Sequence, residues 1–597
     1  MPLYRAPLED YRFVLTELFD VAQLSSLPTY AEATPDVVLS VLEEAGTFAE
    51  DVLFPINQSG DAEGCTWDNG NVRTPTGFME AFRQYAEGGW VGLAADPAYG
   101  GQGLPILLRI AVDELVLSGN LSFAMYPSLT QGAFDALHAH GTDDLKARYL
   151  PKLAAGDWTG TMCLTEPHAG TDLGMIRTKA QPMDDGSALI TGTKIFITAG
   201  DHDLVPNIIH MVLAKLPDAP PGSKGISMFL VPKFLVNADG SLGPRNGVTC
   251  GSIEHKMGIK GSATCVLNFD GARGWLVSEP HKGLRAMFTM MNSARLGVGM
   301  QGLALAEVAY QNAVAYARER VQGRNLSGAR NPSGPADPIV THADIRRGLL
   351  WMRAFVQGAR ALAMFTALRL DEEHRHPEAT VREEAADLVA LLTPIIKAFF
   401  TDLAFDATNI GLQTLGGHGY IREFGMEQLV RDARIGQIYE GTNHIQALDL
   451  VGRKLGEGNG RLLKRYAAIV ANEIAIAKDR PETAELAAGL AEAAKLLQIS
   501  TGTIAQRGAK DPSEAGGCAS EYLRLFGYVA LGHMWLRAAR VASERRGSGG
   551  AMSQEFYAAK LGTARFYFRR MMPATAALAQ AITAGSESIL EFPEEAF

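Results

Sequence analysis

A carboxylate followed at once by residues that stop a helix can hold a general base at a fixed place, and the segment Arg431–Asn443, RDARIGQIYEGTN, has that form. Leu429, Ile435, Ile438 and Tyr439 recur at helical spacing, and Glu440 closes the run. Gly441 can take the left-handed conformation of a C-terminal cap, while Thr442 and Asn443 bond local backbone better than they extend a helix. An acid at such an end, among apolar neighbours, is poorly solvated as an anion. Its pKa is therefore expected to rise toward the range useful to a general base. The same residues also describe an ordinary solvated helix end, and this window alone does not separate the two.

A second polar constellation is MCLTEPHAGTDLG, Met162–Gly174. Its backbone N–H groups and hydroxyls, crowded into a turn, suit a polar heteroaromatic ring or a phosphate, but an ordinary Asx or Ser/Thr turn reads the same way. Gly297, Gly299 and Gly302 spell GxGxxG, yet no strand precedes them and they interrupt helical periodicity, so close helix packing explains them better than a dinucleotide site. The five cysteines, Cys65, Cys163, Cys250, Cys265 and Cys518, are scattered without a CxxC or a His partner. No metal site and no disulfide framework is expected, and a reducing cytoplasm fits.

Across 597 residues the formal charge is -11, which argues against wrapping nucleic acid; an anionic ligand must be met by locally placed Arg, Lys or helix ends. The opening MPLYRAPLEDYRF carries early acids and no apolar h-region, and no stretch of about 18 apolar residues is uninterrupted, so a cytoplasmic protein without a transmembrane segment is expected.

The elements that must position these residues change texture along the chain. Residues 1–155 show helical spacing (Val37, Val38, Val41, Leu42, Ala45), and 156–285 are short β-rich runs such as ALITGTKIFITAG and ISMFLVP between Gly, Pro, Asp and Asn. Helical texture returns over 286–455, with Ala294–Arg320 and Val381–Leu415 expected as the main bundle helices and Gly323–Pro338 as a loop between them. After the glycine-rich GEGNG, residues 461–597 read as a further helical domain. The fold class is α+β, mostly α: a helical N-terminal domain, a central antiparallel β-barrel-like domain, a helical bundle and a C-terminal helical extension.

CLTEPHAGTD, TGTKIFITAG, HKMGIKGS, MNSARLGVGMQG, YARERVQGR, LQTLGGHGY and RIGQIYEGTN, in that order, resemble the flavin-dependent acyl-CoA dehydrogenases over about Tyr11–Leu455. The opening YRAPLEDYRF, the length and the C-terminal extension resemble the branch that includes 3-methylmercaptopropionyl-CoA dehydrogenase and its long-chain relatives. The resemblance implies FAD as cofactor and Glu440 as the base that removes the α-proton of an acyl thioester, the β-hydride passing to the flavin. It places Met162, Leu164 and Thr165 at the ring, Phe196 and Thr198 as a stacking and hydrogen-bonding pair, Arg320, Gln322, Gln413, Gly416 and Gly417 toward the pyrophosphate and adenine of a neighbouring subunit's flavin, and Thr442 at a further phosphate-side contact. Phe196 stands where the family often has Trp, and His444 where a polar amide is frequent. Gly170, Thr171, Asn292, Arg295 and Tyr439 match substrate contacts.

The same resemblance implies a trans-2-enoyl-CoA product, an electron-transfer flavoprotein as acceptor and, from the extension, a homodimer. The expected substrate is 3-methylmercaptopropionyl-CoA or a short to medium fatty acyl-CoA. A long-chain enzyme, an acyl-CoA oxidase and a non-catalytic acyl-CoA-binding scaffold are the alternatives.

Overall fold

The computed structural model describes residues 2–597. Contacts gather the chain into two compact units, one made of Thr47–Arg109 and Leu115–Gly297, the other of the segment up to Gly46, Ile110–Glu114 and Val298–Phe597.

The first unit carries the strands: β1 (Thr66–Asp68), β2 (Asn71–Arg73), β3 (Trp158–Cys163), β4 (Lys179–Pro182), β5 (Ala188–Thr198), β6 (Asn207–Lys215), β7 (Ile226–Pro232), β8 (Phe234–Val236), β9 (Leu242–Arg245), β10 (Val248–Ile253) and β11 (Thr264–Leu276). Pairing runs β11–β5–β4–β6–β7 and returns to β11, so the sheet closes on itself, with β3 added beside β6 and β10 beside β11. The sheet is mixed, which corrects the expectation of an antiparallel one. β3 lies parallel to β6 over six residue pairs, and β4 meets β6 in the same sense. A parallel neighbour needs a long connection, and here the β4–β5 hairpin between β3 and β6 supplies it where α/β proteins use a helix.

β6 and β7 are covered on both faces, which is why NIIHMVLAK and ISMFLVP read as continuous apolar runs with no alternation. Met211, Leu213, Met228 and Leu230 pack outward on Leu137, Tyr149 and Leu153 of the helices Leu121–His140 and Asp143–Ala155. Val212, Phe229 and Val231 pack with Ile190, Leu267 and Phe269 in a second core.

In the second unit, the long helices Ala343–Arg375 and Ala379–Leu415 pack on each other and beside the C-terminal part of Gly283–Glu319. Ala343–Arg375 is a third long helix beyond the two expected. Two of the three GxGxxG glycines serve helix packing: a Cβ on Gly299 would lie 2.6 Å from Ile396 Cγ2, and one on Gly302 would lie 3.1 Å from the Phe400 carbonyl oxygen, whereas one on Gly297 would meet nothing within 4 Å. The C-terminal helix Ala519–Ser548 approaches just as closely, since a Cβ on Gly527 would fall 2.3 Å from the Phe399 ring. Trp535 Nε1–H donates to the Ala354 carbonyl at 2.9 Å, with Gly358 leaving room for the indole. The extension is thus an integral part of this unit's core. Ala379–Tyr420 is long and apolar enough to cross a membrane, but 78% of its most apolar window is buried, as suits the central helix of a bundle.

The loop after Glu319 is ordered by one acid. Asp337 is buried and accepts backbone N–H bonds from Asn325 (2.8 Å), Arg330 (2.9 Å) and Asn331 (2.7 Å). Those donors, the Asn325 N–H foremost, pull its pKa from 3.8 to about 2. A depressed carboxyl stabilises above its ordinary pKa, and that contribution is lost as pH falls through the folded value, here between about 4 and about 2. Asp337→Ala is expected to speed amide hydrogen exchange across 323–338 several-fold at neutral pH, the difference from wild type narrowing below about pH 4.

Candidate active site

The helix Met426–Arg434 runs into one 3-10 turn, Ile435–Gln437, and the chain then reverses its twist. The left-handed step begins at Glu440 itself, with φ of 56°, and continues at Gly441 with φ of 82°. It starts one residue before the glycine cap expected from the sequence. A non-glycine residue in this region costs about 1–2 kcal/mol, so the surroundings must hold it there.

They do so through both carbonyls of the turn. Gln446 Nε2–H donates to the Glu440 carbonyl at 3.2 Å, and Lys397 Nζ donates to the Gly441 carbonyl at 2.7 Å. Lys397 also donates to Asn443 Oδ1 at 2.8 Å, and Asn443 Nδ2–H donates to the Ala398 carbonyl (3.1 Å) and to Asp402 Oδ1 (2.7 Å). Thr442 Oγ1 accepts from the Ile445 N–H at 3.3 Å and so starts the helix Asn443–Asp449. Glu440 is half-buried in this frame. Beside it, the Tyr439 hydroxyl donates to Gln301 Oε1; burial and the Glu440 carboxylate push the phenol pKa up, so it stays protonated.

The barrel unit contributes a second arrangement. Between the pairs Cys265–Ile197 and Leu267–Lys194, Ile195 and Phe196 together oppose the single residue Val266, a bulge in β5. Bulges re-aim side chains, and here Phe196 takes a φ of 57° and is 60% exposed as a residue. The Ile195 N–H donates to the Thr165 carbonyl at 2.9 Å, which ties the CLTEPHAGTD turn to this strand.

Beneath the turn lies a buried ion pair. Lys194 Nζ donates to Glu166 Oε1 and to the Leu164 carbonyl, both at 2.9 Å, and Glu166 also accepts from Thr178 Oγ1–H (2.6 Å) and the Arg177 N–H (2.7 Å). Burial pushes the Glu166 carboxyl up, but Lys194 and these donors outweigh it and hold the group below its ordinary range. Both charges sit inside the recognisable motifs, yet their pairing is not legible in one dimension.

Within this unit Met162, Thr165 and Thr198 are half-buried, Leu164 is buried, and Gly170 and Thr171 are exposed. Asn292 is exposed, whereas Arg295, one turn along, is buried with its guanidinium 5.9 Å from the Phe288 ring centroid. In the other unit Arg320, Gln322, Gln413, Gly416 and Gly417 are all exposed, the last three at the end of the helix Ala379–Leu415. His444 Nδ1 bonds Ser520 Oγ at 3.1 Å, which ties it to the C-terminal region. Lys397, Gln301, Asp402 and Gln446 escaped the sequence reading; a lone lysine within PIIKAFF was the one available signal. Among the described residues no group of His, Cys, Asp and Glu is arranged to hold a metal ion.

The helical N-terminal region, the closed sheet and the helical bundle match the acyl-CoA dehydrogenase fold. Family models for the acyl-CoA dehydrogenase N-terminal, middle and C-terminal domains match residues 39–157, 161–272 and 281–455, and the chain belongs to that family of oxidoreductases. A fourth model, acetyl-CoA dehydrogenase C-terminal like, matches 462–593. The chain is 42% identical to the 3-methylmercaptopropionyl-CoA dehydrogenase of Ruegeria pomeroyi, over 98% of this chain and 99% of that protein. Among solved structures, Caenorhabditis elegans ACDH-11 in complex with C11-CoA superposes with a TM-score of 0.79 at 18% identity, covering 99% of this chain and 96% of the other. An acyl-CoA dehydrogenase from Bacillus anthracis complexed with FAD gives 0.75 at 21% identity, covering 94% and 90%. At such identities these two matches speak for the fold.

Proposed function

We propose that the chain is an FAD-dependent acyl-CoA dehydrogenase that converts 3-methylmercaptopropionyl-CoA, or a short to medium linear acyl-CoA, into the trans-2-enoyl-CoA, with an electron-transfer flavoprotein as acceptor. The observation that carries the proposal is Glu440, a carboxylate held left-handed at a helix end by bonds to two successive carbonyls. Strain maintained in this way is characteristic of functional sites.

The exposed Phe196 on its bulge, joined through Ile195 to Thr165, fits the flat face and polar edge of a flavin. Phe196, Met162, Leu164, Thr165 and Thr198 are the barrel residues assigned to hold it. When bound, FAD supplies the acceptor for the hydride leaving the β-carbon. Glu440 takes the α-proton onto its carboxylate, and its own backbone N–H is assigned to the thioester oxygen, where the charge of the developing enolate accumulates. One such donor is worth about 3 kcal/mol of barrier. The substrate thus loses one proton and one hydride and gains the α,β double bond.

Substrate choice is tested by kcat/KM for 3-methylmercaptopropionyl-CoA against butanoyl-, octanoyl- and palmitoyl-CoA. The expected result is highest activity on the sulfur compound or on the shorter two linear chains; preference for palmitoyl-CoA would contradict it. Peroxide formed in step with substrate consumption would assign the chain to the oxidases.

A further inference from the structure

We infer that Lys397 is a positioning residue for the base at Glu440, an inference that rests on the reaction proposed above. The sequence places this lysine in the middle of an apolar run, between Ile396 and Ala398 and close to Leu391, Leu392, Ile395, Phe399 and Phe400. The structure buries it completely in the helix Ala379–Leu415. An ammonium taken from water into such a core is costly unless it is hydrogen-bonded, so its partners indicate what it does there.

Two of those partners are the Gly441 carbonyl at 2.7 Å and Asn443 Oδ1 at 2.8 Å, the residues one and three positions after the base. Gln446 fixes the preceding carbonyl, that of Glu440, at 3.2 Å. Together the two donors set two successive peptide planes in a stretch whose φ values, 56° and 82°, are both left-handed. They thereby fix the direction in which the Glu440 side chain leaves the backbone. Asn443 braces the same frame through the Ala398 carbonyl and Asp402, and Asp402 Oδ1 also accepts from Gln437 Nε2–H at 3.0 Å on the entering side of the turn. A helix that is otherwise apolar core thus reaches both flanks of the base. Lys397 touches no reacting atom in this role and acts through the turn.

Methionine keeps an unbranched stem one heavy atom shorter than that of lysine and removes all three donors. Lys397→Met is expected to keep its flavin and an unaltered flavin spectrum, to hold KM within about twofold, and to lose about 100-fold in kcat, the size expected of a small misplacement of a catalytic group. Amide hydrogen exchange over 439–443 should rise while the helix Ala379–Leu415 stays protected, a readout independent of turnover. If Lys397→Met does not fold, Asn443→Ala, which leaves the lysine and removes its brace, takes its place, with an expected loss of about tenfold in kcat at unchanged KM. Wild-type kcat in a folded, flavin-bound variant, or unchanged exchange over 439–443, overturns the inference. Failure of any acyl-CoA to reduce the wild-type flavin overturns the reaction on which it rests, and the two failures are therefore distinct.

Discussion

Glu440→Gln is expected to fold, to keep its flavin, and to slow anaerobic flavin reduction by acyl-CoA about 10,000-fold, near the upper end of what a positioned base contributes. That factor corresponds to about 5.5 kcal/mol of barrier. The substitution keeps side-chain volume and leaves the bonds that frame the turn intact, because these reach the backbone carbonyls of Glu440 and Gly441 and bypass the carboxylate. An amide at the same place cannot accept the α-proton. Because the bond from Gln446 and the neighbouring Tyr439–Gln301 pair also survive, acyl-CoA binding should change little. Rapid mixing under anaerobic conditions checks the rate, and equilibrium titration checks binding. A variant that bleaches within tenfold of the wild-type rate would remove Glu440 from the role of base.

Arg360→Met is expected to produce the largest loss of stability. The Arg360 side chain is 1% exposed and meets three acids: Glu114 through Nε at 3.1 Å, Glu307 through Nη2 at 2.6 Å, and Asp10. Lys560 also pairs with Asp10 and donates to Gln357 Oε1 at 3.1 Å, while the Tyr11 hydroxyl donates to Glu114 at 2.6 Å. The cluster joins the N-terminal segment, the segment Ile110–Glu114, two bundle helices and the C-terminal helix Gln554–Phe566. Removing one partner from a buried ionic network leaves charges uncompensated, at about 3–5 kcal/mol.

The sign of the pH dependence follows from the acids. Burial raises the Glu114 carboxyl above its ordinary value even with Arg360 present. A raised acid contributes its stability below the ordinary pKa and loses it as pH rises through the folded value. Without the guanidinium, the Glu114 carboxyl rises further, so the deficit should be full near about pH 8 and smaller near about pH 5. Asp10 is held low, since Lys560 and then Arg360 outweigh its burial, and its contribution would be lost only at pH below the ordinary carboxylate range. Denaturation midpoints of variant and wild type at the two pH values test this. An equal deficit at both would contradict it.

The legible parts of the chain were local. RIGQIYEGTN displays a carboxylate, a glycine and two backbone-bonding residues in one window, and the strand runs are short and bounded by turn residues, so the carboxylate turn and the sheet domain could be read directly. Asn69-Gly70 between β1 and β2, with φ of 48° and 84°, was an available hairpin signal inside a stretch read as wholly helical. The parallel seating of β3 beside β6 was hidden because strand direction depends on the path between strands, which periodicity does not encode. The left-handed state of Glu440 and the bulge that lifts Phe196 are imposed by tertiary contacts, against each residue's own preference. Lys397 and the Glu166–Lys194 pair were concealed for a related reason. A buried charge is defined by partners 28 to 46 residues away, and a single sequence marks it only as a polar residue in an apolar setting.

The most direct measurement is anaerobic mixing of purified wild-type protein with 3-methylmercaptopropionyl-CoA and with butanoyl-CoA, following flavin absorbance and product together. A base at Glu440 serving a bound flavin predicts that the yellow protein bleaches and that one trans-2-enoyl-CoA forms per flavin reduced. A protein that carries flavin but is bleached by neither thioester, nor by octanoyl- or palmitoyl-CoA, would contradict it.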